Sequence, residues 1–312
     1  MYIVIGKNYL CLDCADYPGD MLIEKPHTTQ RFLPHATVTM LVITVVVVSL
    51  FGSGCIGDKD AETSTQSMKL QVTGSTTVLP IADECARVYM ETHPGSRIYV
   101  SGGGSSLGIK SVADGIADIG TASRDLKDSE NEKYPDLVLH AVAKDGVAII
   151  THAGNPISNL TMEELQKIYT GEITNWKDLG GVDAKIMVVS REEGSGTRDC
   201  FEQAVLKSIK QEIMDYAVIQ DSNGKIRTTV AGNKDGIGFI SIGYINSDVR
   251  AVKLDDIEPT VENVQNDKYA ISRTLWMLTN GDPDEDERAF LNFVFSDAGQ
   301  KLVSDVHFIP VG

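Results

Sequence analysis

The chain has 312 residues, 42% of them hydrophobic and only 6% aromatic, with a formal net charge of −16. That length accommodates one large or two ordinary domains. The acidic balance leaves no basic field for neutralising a nucleic-acid backbone, so nucleic acid is excluded as a partner. A small anion is not excluded, because a small site is set by its local donors rather than by net charge.

The first 55 residues differ from the rest. Lys25, His27, Arg31 and His35 precede an apolar run from Met40 to Phe51. Even counted from Ala36, the run is shorter than the roughly 20 residues that span a bilayer. Gly52, Ser53, Gly54 and Cys55 follow. A positive flank, a short apolar core and small residues before a cysteine describe an export signal over 1–54, with Cys55 as lipid anchor. Gly52 stands where such signals ordinarily carry leucine. The alternative is an uncleaved N-terminal anchor. Both readings place the bulk of the chain outside the cytoplasm, tethered to the outer face of the cell membrane. Residues 1 to about 24 lie upstream of the signal and read as a mis-assigned start. The lone Cys11-x-x-Cys14 within them has no second pair and is weak evidence for zinc. Residues 55–67 are small, polar and charged, and read as a flexible tether.

In the folded part, a short β-type run, a turn of Gly, Ser and Thr, and a helix-type run recur three times. The first is Leu70–Val72, then Thr73-Gly74-Ser75-Thr76-Thr77, then Pro80 to Met90. Pro80 suits a first helical turn, and Ile81, Cys85 and Val88 share one face. The second is Arg97–Val100, then Ser101-Gly102-Gly103-Gly104-Ser105-Ser106, then Leu107 to Asp114. The third is Ile186–Val189, then Ser190-Arg191-Glu192-Glu193-Gly194-Ser195-Gly196-Thr197, then Cys200 to Leu206. Alternating strands and helices predict an α/β fold with a largely parallel sheet. Ligands of such folds bind beyond the carboxyl ends of the strands, at helix N-termini whose free N–H groups favour an anion. All three turns stand at that place. Thr161–Tyr169 predicts a helix with a capping box between Thr161 and Glu164, and Trp176 reads as core. Cys85 and Cys200 read as a disulfide or as buried free thiols.

The turns carry chemistry suited to holding an oxyanion. Arg191 can give two parallel charge-assisted bonds, and Ser195, Gly196 and Thr197 add N–H groups and hydroxyls at a helix start. Charge-assisted bonds contribute roughly 1.5–3 kcal/mol each, against about 0.5–1.5 for neutral ones. A carboxylate, Glu192 or Glu193, can hold the guanidinium. Catalysis is poorly supported. Ser195 is not in a G-x-S-x-G elbow, no histidines stand at metal-ligand spacing, and the glycine-rich turn lacks the lysine of a phosphate-binding loop. No catalytic residue, metal or cofactor is expected.

Thr73–Thr77 with Pro80, Gly104–Lys110, Ala117-Asp118-Ile119-Gly120, Ile168–Trp176, Arg191–Thr197 and Gly236–Phe239 occur in this order. The ordered set resembles the phosphate-binding lipoproteins of high-affinity phosphate ABC transporters, over about residues 69–312. The resemblance implies a two-lobed periplasmic-binding-protein fold of type II, with a two-stranded hinge and the ligand in the interlobe cleft. It places crossings near His140–Ile150 and Ile240–Lys253. The first lobe would then take 68–145 and 249–312, and the second 146–248. It assigns ligand contacts to Ser75, Thr76, Thr77, Ser105, Arg191, Ser195, Gly196 and Thr197, with Glu193 supporting the arginine. Family members carry an aspartate where this chain has Ser123, followed by Arg124, and both join the candidate site. A serine does not repel a dianion, so sulfate or molybdate is the alternative ligand, and an exported phosphohydrolase using Ser195 the alternative activity. The partners implied are inorganic phosphate and a transmembrane permease, and the state a monomer.

Overall fold

The computed structural model describes residues 67–311. The expected export signal, the Cys55 anchor and nearly all of the expected tether lie outside the described residues. The chain begins as β1 (Lys69–Gly74), α1 (Leu79–Thr92), β2 (Arg97–Gly102), α2 (Ser105–Ala113), β3 (Ile119–Ala122) and α3 (Asp128–Lys133). The long β4 (Leu137–His152) leads to β5 (Asn159–Leu160), α4 (Met162–Thr170), β6 (Met187–Arg191), α5 (Gly196–Phe201), β7 (Val218–Gln220), α6 (Asn223–Ala231), β8 (Gly236–Ser241), β9 (Val249–Leu254) and α7 (Val261–Gln265). The chain returns through β10 (Ser272–Asn280) to α8 (Glu285–Phe295) and α9 (Asp297–Asp305).

Local chemistry accounts for the element ends. Pro80 occupies the first turn of α1. Thr161 caps α4 in a reciprocal box with Glu164, and Gly171 ends it at φ +85°. β3 and β8 are buried along their whole length, as strands covered by helices on both faces must be.

The strands run in the order β2-β1-β3-β10-β4-β8-β6-β7, with β9 beside β4 and β5. The flanks are parallel, as expected: β1 with β2 and β3, β6 with β7 and β8. The centre is antiparallel, because there the chain crosses once in each direction. Leu137–Gly146 of β4 pairs with β10, and Val147–Thr151 pairs with β8. One strand therefore belongs to both lobes, and it changes lobe between Gly146 and Val147.

Each lobe has its own core. α1, α8 and α9 pack on one face of the first sheet around Val72, Ile119, Met277 and Phe290. The second lobe centres on Tyr169, Trp176, Phe201 and Phe239. Phe201 and Phe239 are stacked with ring centres 4.3 Å apart, and the Trp176 indole N–H donates to the Asp235 carbonyl at 3.0 Å.

The second crossing differs from the expectation. β9 pairs with the second-lobe half of β4, and Val252, Leu254, Val264, Tyr269 and Ile271 pack with Trp176. The chain returns at Ser272, which pairs with Gly146. The stretch 249–271 thus packs with the second lobe, because β9 supplies an antiparallel partner there that a hinge strand would not. A third segment bridges the same place. Lys144 and Ile309 exchange backbone hydrogen bonds of 2.8 and 3.1 Å, and Phe308 and Ile309 enter the cores of the first and second lobe respectively.

The first lobe is tightest where α2 crosses the ends of β1 and β3. A Cβ on Gly108 would collide with the Thr121 carbonyl oxygen and lie 2.8 Å from that of Thr73. Both are backbone atoms that cannot turn aside. Gly108→Ala is expected to destabilise the fold by about 2–3 kcal/mol through overpacking, read as a lowered midpoint in thermal or urea denaturation.

Candidate anion-binding site

Every expected turn lies at the carboxyl end of a parallel strand, and closure brings them together. Ser75 follows β1, Ser105 follows β2 and opens α2, and Ser123 follows β3. Arg191 ends β6, and Ser195 caps α5 by accepting the Arg198 N–H at 3.3 Å. Ser75, Thr76, Thr77, Ser105, Ser123, Arg191, Ser195 and Thr197 are all buried.

The two lobes meet directly over this set. The Ser106 N–H donates to the Gly194 carbonyl at 3.1 Å. Thr77 Oγ1 and Thr197 Oγ1 are 3.0 Å apart. A Cβ on Gly196 would lie 2.6 Å from Ser123 Oγ, so only a glycine allows this approach. Ser105 Oγ accepts the Ser123 N–H at 3.0 Å and lies 3.3 Å from Ser123 Oγ. Ser123 is thereby held against Ser105 on the first-lobe side of the lobe contact.

Arg191 is the central charge. Only 1% of it is exposed. Its Nε and Nη2 donate to the Glu192 carboxylate, both at 2.8 Å, and Nη2 reaches the Asp221 carbonyl at 3.3 Å. Its Nη1 is buried and has no acceptor. The expected support from Glu193 is corrected: Glu193 is exposed, and Glu192 holds the guanidinium. Strand alternation would bring Glu193 to the Arg191 face, but β6 ends at Arg191. The chain turns there, so the adjacent side chain folds back and the next one points to solvent.

Arg124 is also corrected. All of its nitrogens are engaged away from an anion: Nη1 and Nη2 with Glu130 at 2.7 and 2.8 Å, Nη2 with Ser106 Oγ at 2.9 Å, and Nε in an ion pair with Asp199 at 2.7 Å. Arg124 and Glu130 are on the first lobe and Asp199 is on the second, so Arg124 is a latch between lobes. Asp199, which reads as an ordinary first-turn residue of α5, is the other half of that latch and also pairs with Lys127 at 3.1 Å.

Four buried or partly buried groups at the site escape sequence reasoning. Asn223 opens α6 and donates to Thr77 Oγ1 at 3.0 Å and Thr76 Oγ1 at 3.3 Å. Ser222-Asn223-Gly224 is a fourth strand-to-helix turn, after β7, and the rule that found three could have found it. The Tyr244 hydroxyl donates to the Thr76 carbonyl at 2.6 Å, and burial pushes its pKa up to about 12, so it remains a donor. Arg273 on β10 and Asp145 on β4 face each other across the hinge strands. They form an ion pair of 2.6 Å with side chains 4% and 0% exposed. Burial pushes the Asp145 carboxyl up from its ordinary range, while Arg273 and Ser241 draw it back. Neither residue lies in a turn, so no local pattern marked them. A cavity of about 880 Å³ opens beside the cradle, lined by Lys127, Lys144, Asp199 and Cys200 as well as by Arg124 and Arg273.

The side-chain hydrogen bonds of His93, His140 and His152 all go elsewhere than to Ser195. Cys85 and Cys200 are free thiols, raised by burial to about 12 and about 11 and so protonated at neutral pH. Among the described residues no group of three His, Cys, Asp or Glu is placed to hold a metal ion, and no helix is long and apolar enough to cross a membrane.

The PBP superfamily domain matches residues 59–298. The phosphate-binding protein PstS of Bacillus subtilis is 32% identical over 247 residues, which cover 78% of this chain and 81% of that one. Its counterpart from Borreliella burgdorferi is 31% identical, covering 78% and 90%. Among solved structures, a protein described as a phosphate ABC transporter substrate-binding protein with bound phosphate, from Clostridium perfringens, superimposes with a TM-score of 0.75. It is 41% identical, and the match covers 78% of this chain and 100% of that one. An ABC-type phosphate transport receptor from Vibrio cholerae matches with a TM-score of 0.64 at 36% identity, covering 77% and 99%. With the same two-lobed α/β architecture and this much shared sequence, the chain belongs to the PstS phosphate-binding protein family of the PBP superfamily.

Proposed function

We propose that the protein captures inorganic phosphate between its lobes, outside the cytoplasm, and delivers it to the transmembrane permease of an ABC transporter for import. Arg191 carries this reading. Its guanidinium is buried, Glu192 and Asp221 engage Nε and Nη2, and Nη1 has no acceptor. A buried donor left unpaired costs about 1–3 kcal/mol, and an anion oxygen removes that cost. Ser75, Ser105, Ser123, Ser195 and Thr197 surround the cleft with hydroxyls, and the turns that open α2 and α5 add N–H groups. The names of the relatives support phosphate as the anion.

No turnover is assigned to the site. Ser195 caps a helix, and among the described residues no histidine is hydrogen-bonded to it as a base, which favours a binding protein over a phosphohydrolase. Ser123 favours one second reading. Its hydroxyl neither repels a dianion nor demands a proton from it, so sulfate or molybdate competes better here than against a carboxylate. The export signal, the lipid on Cys55 and a monomeric state complete the proposal, and the acidic surface suits a solvated tethered domain.

Calorimetric titration of residues 68–312 with phosphate and sulfate tests the reading, and it falls if neither anion binds. Arg191→Ala is expected to lose about 3–5 kcal/mol of phosphate affinity, roughly a hundredfold or more. A loss below threefold would contradict the role given to Arg191. Ser123→Asp is expected to weaken sulfate at least roughly tenfold more than phosphate, because only hydrogen phosphate can donate a proton to the new carboxylate. Cys55→Ala is expected to abolish incorporation of labelled fatty acid into the full chain, and retained label would remove Cys55 as the anchor.

A further inference from the structure

We propose that Arg273, held by Asp145, is a positioning residue that forces the Thr197 hydroxyl to act only as a donor to the bound anion, and does so only when the lobes are closed. The inference rests on the phosphate-capture reading and concerns how that site is oriented.

The two residues sit opposite each other on the hinge strands. Arg273 Nε donates to Asp145 Oδ2 at 2.9 Å and Nη2 to the same oxygen at 2.6 Å. The other carboxylate oxygen, Oδ1, accepts the Ser241 hydroxyl at 2.8 Å from β8 of the second lobe. The guanidinium is thereby locked, and its outer edge faces hydroxyls from both lobes. Nη2 donates to Thr77 Oγ1 at 3.1 Å, and Nη1 donates to Thr197 Oγ1 at 3.0 Å and to the Ser123 carbonyl at 3.3 Å.

Counting lone pairs orients the protons. A hydroxyl oxygen accepts twice and donates once. Thr77 Oγ1 accepts from Arg273 Nη2 and from Asn223 Nδ2. The Asn223 amide cannot be reversed, since its Oδ1 accepts the Ser241 N–H at 3.1 Å. Both Thr77 lone pairs are used, so its proton points to the remaining neighbour, Thr197 Oγ1 at 3.0 Å. Thr197 Oγ1 then accepts from Thr77 and from Arg273 Nη1, and both of its lone pairs are used as well. Among the described residues no acceptor is in hydrogen-bond reach of the Thr197 proton, which leaves the cleft as its direction. Arg273, Thr77 and Thr197 form a one-way chain of donors. Thr77 comes from the first lobe and Thr197 from the second, so opening the cleft breaks the chain.

The test is a double-mutant cycle read by calorimetric titration with inorganic phosphate, with folding checked by thermal denaturation. Removing Arg273 alone would strand a buried carboxylate, so the hinge variant is Arg273→Met with Asp145→Asn, which leaves no unpaired ion. The partner variant is Thr197→Val. Each is expected to weaken phosphate binding roughly tenfold, the scale of a donor lost from a charged ligand. The combined variant is expected to bind no more weakly than the worse of the two, because the hinge pair acts through Thr197. Arg273→Lys keeps the charge beside Asp145 with a single donor head, and is expected to recover part of the loss and to report if the paired variant fails to fold. The inference is overturned if the two effects multiply in the combined variant, or if either the paired variant or Arg273→Lys matches the wild type while Thr197→Val is impaired. A wild type that binds no phosphate removes the functional reading and this inference together. A wild type that binds while the effects multiply removes this inference alone.

Discussion

A guanidinium leaves water at a tolerable cost only if a carboxylate compensates its charge, and any N–H it leaves unpaired is then poised for an incoming acceptor. The cleft buries two of them, and the rest of the site is arranged around that requirement. Arg191 takes the carboxylate of its chain neighbour Glu192, and Arg273 takes that of its cross-strand neighbour Asp145. Each pair is neutral as a unit. What remains to meet an anion is a set of directed donors, not an excess of positive charge. This is how a chain with a formal net charge of −16 can be built to hold an anion: the attraction is short-range and set by the geometry of local donors rather than by net charge.

The fold supplies that geometry from backbone rules. Parallel strands end at the same edge of a sheet, so the turns after β1, β2 and β3 share one rim and those after β6 and β7 share the opposing rim. Crossing strands β4 and β10 set the two rims face to face. Glycine is required where the rims touch, at Gly196 against Ser105 and Ser123. The Arg124–Asp199 pair then holds the rims together from outside the cradle, where its cost in desolvation is spread over Glu130, Ser106 and Lys127.

The readable part of the site was the part written locally. Strand, Ser/Thr/Gly turn and helix start recur within a dozen residues, and each turn fell where the strand ends required. The first crossing came only with the family resemblance, since nothing local in 137–152 marks where β4 passes from one lobe to the other. Pairwise choices were not readable. Glu192 and Glu193 are equivalent by composition, and only the point at which β6 ends decides between them. Arg124 reads as a spare cation beside the cradle until Glu130 and Asp199 are seen on either side of it. The second crossing depended on whether 249–254 pairs with β4 or with the first lobe, and strand pairing at that separation leaves no local trace. Arg273 and Asp145 are 128 residues apart and share only a register. Asn223 is different: Ser222-Asn223-Gly224 carried the same signal as the other turns.

The Lys144–Ile309 ladder gives the hinge an unequal stiffness. Two strands alone would bend like a strip of even compliance. Here a third segment is riveted alongside, with Phe308 seated in one core and Ile309 in the other. Separation of the lobes must flex three crossings, and the rivet lies on one side of them. Any change in the angle between the lobes therefore acts on the seats of Phe308 and Ile309 as well as on the two strands.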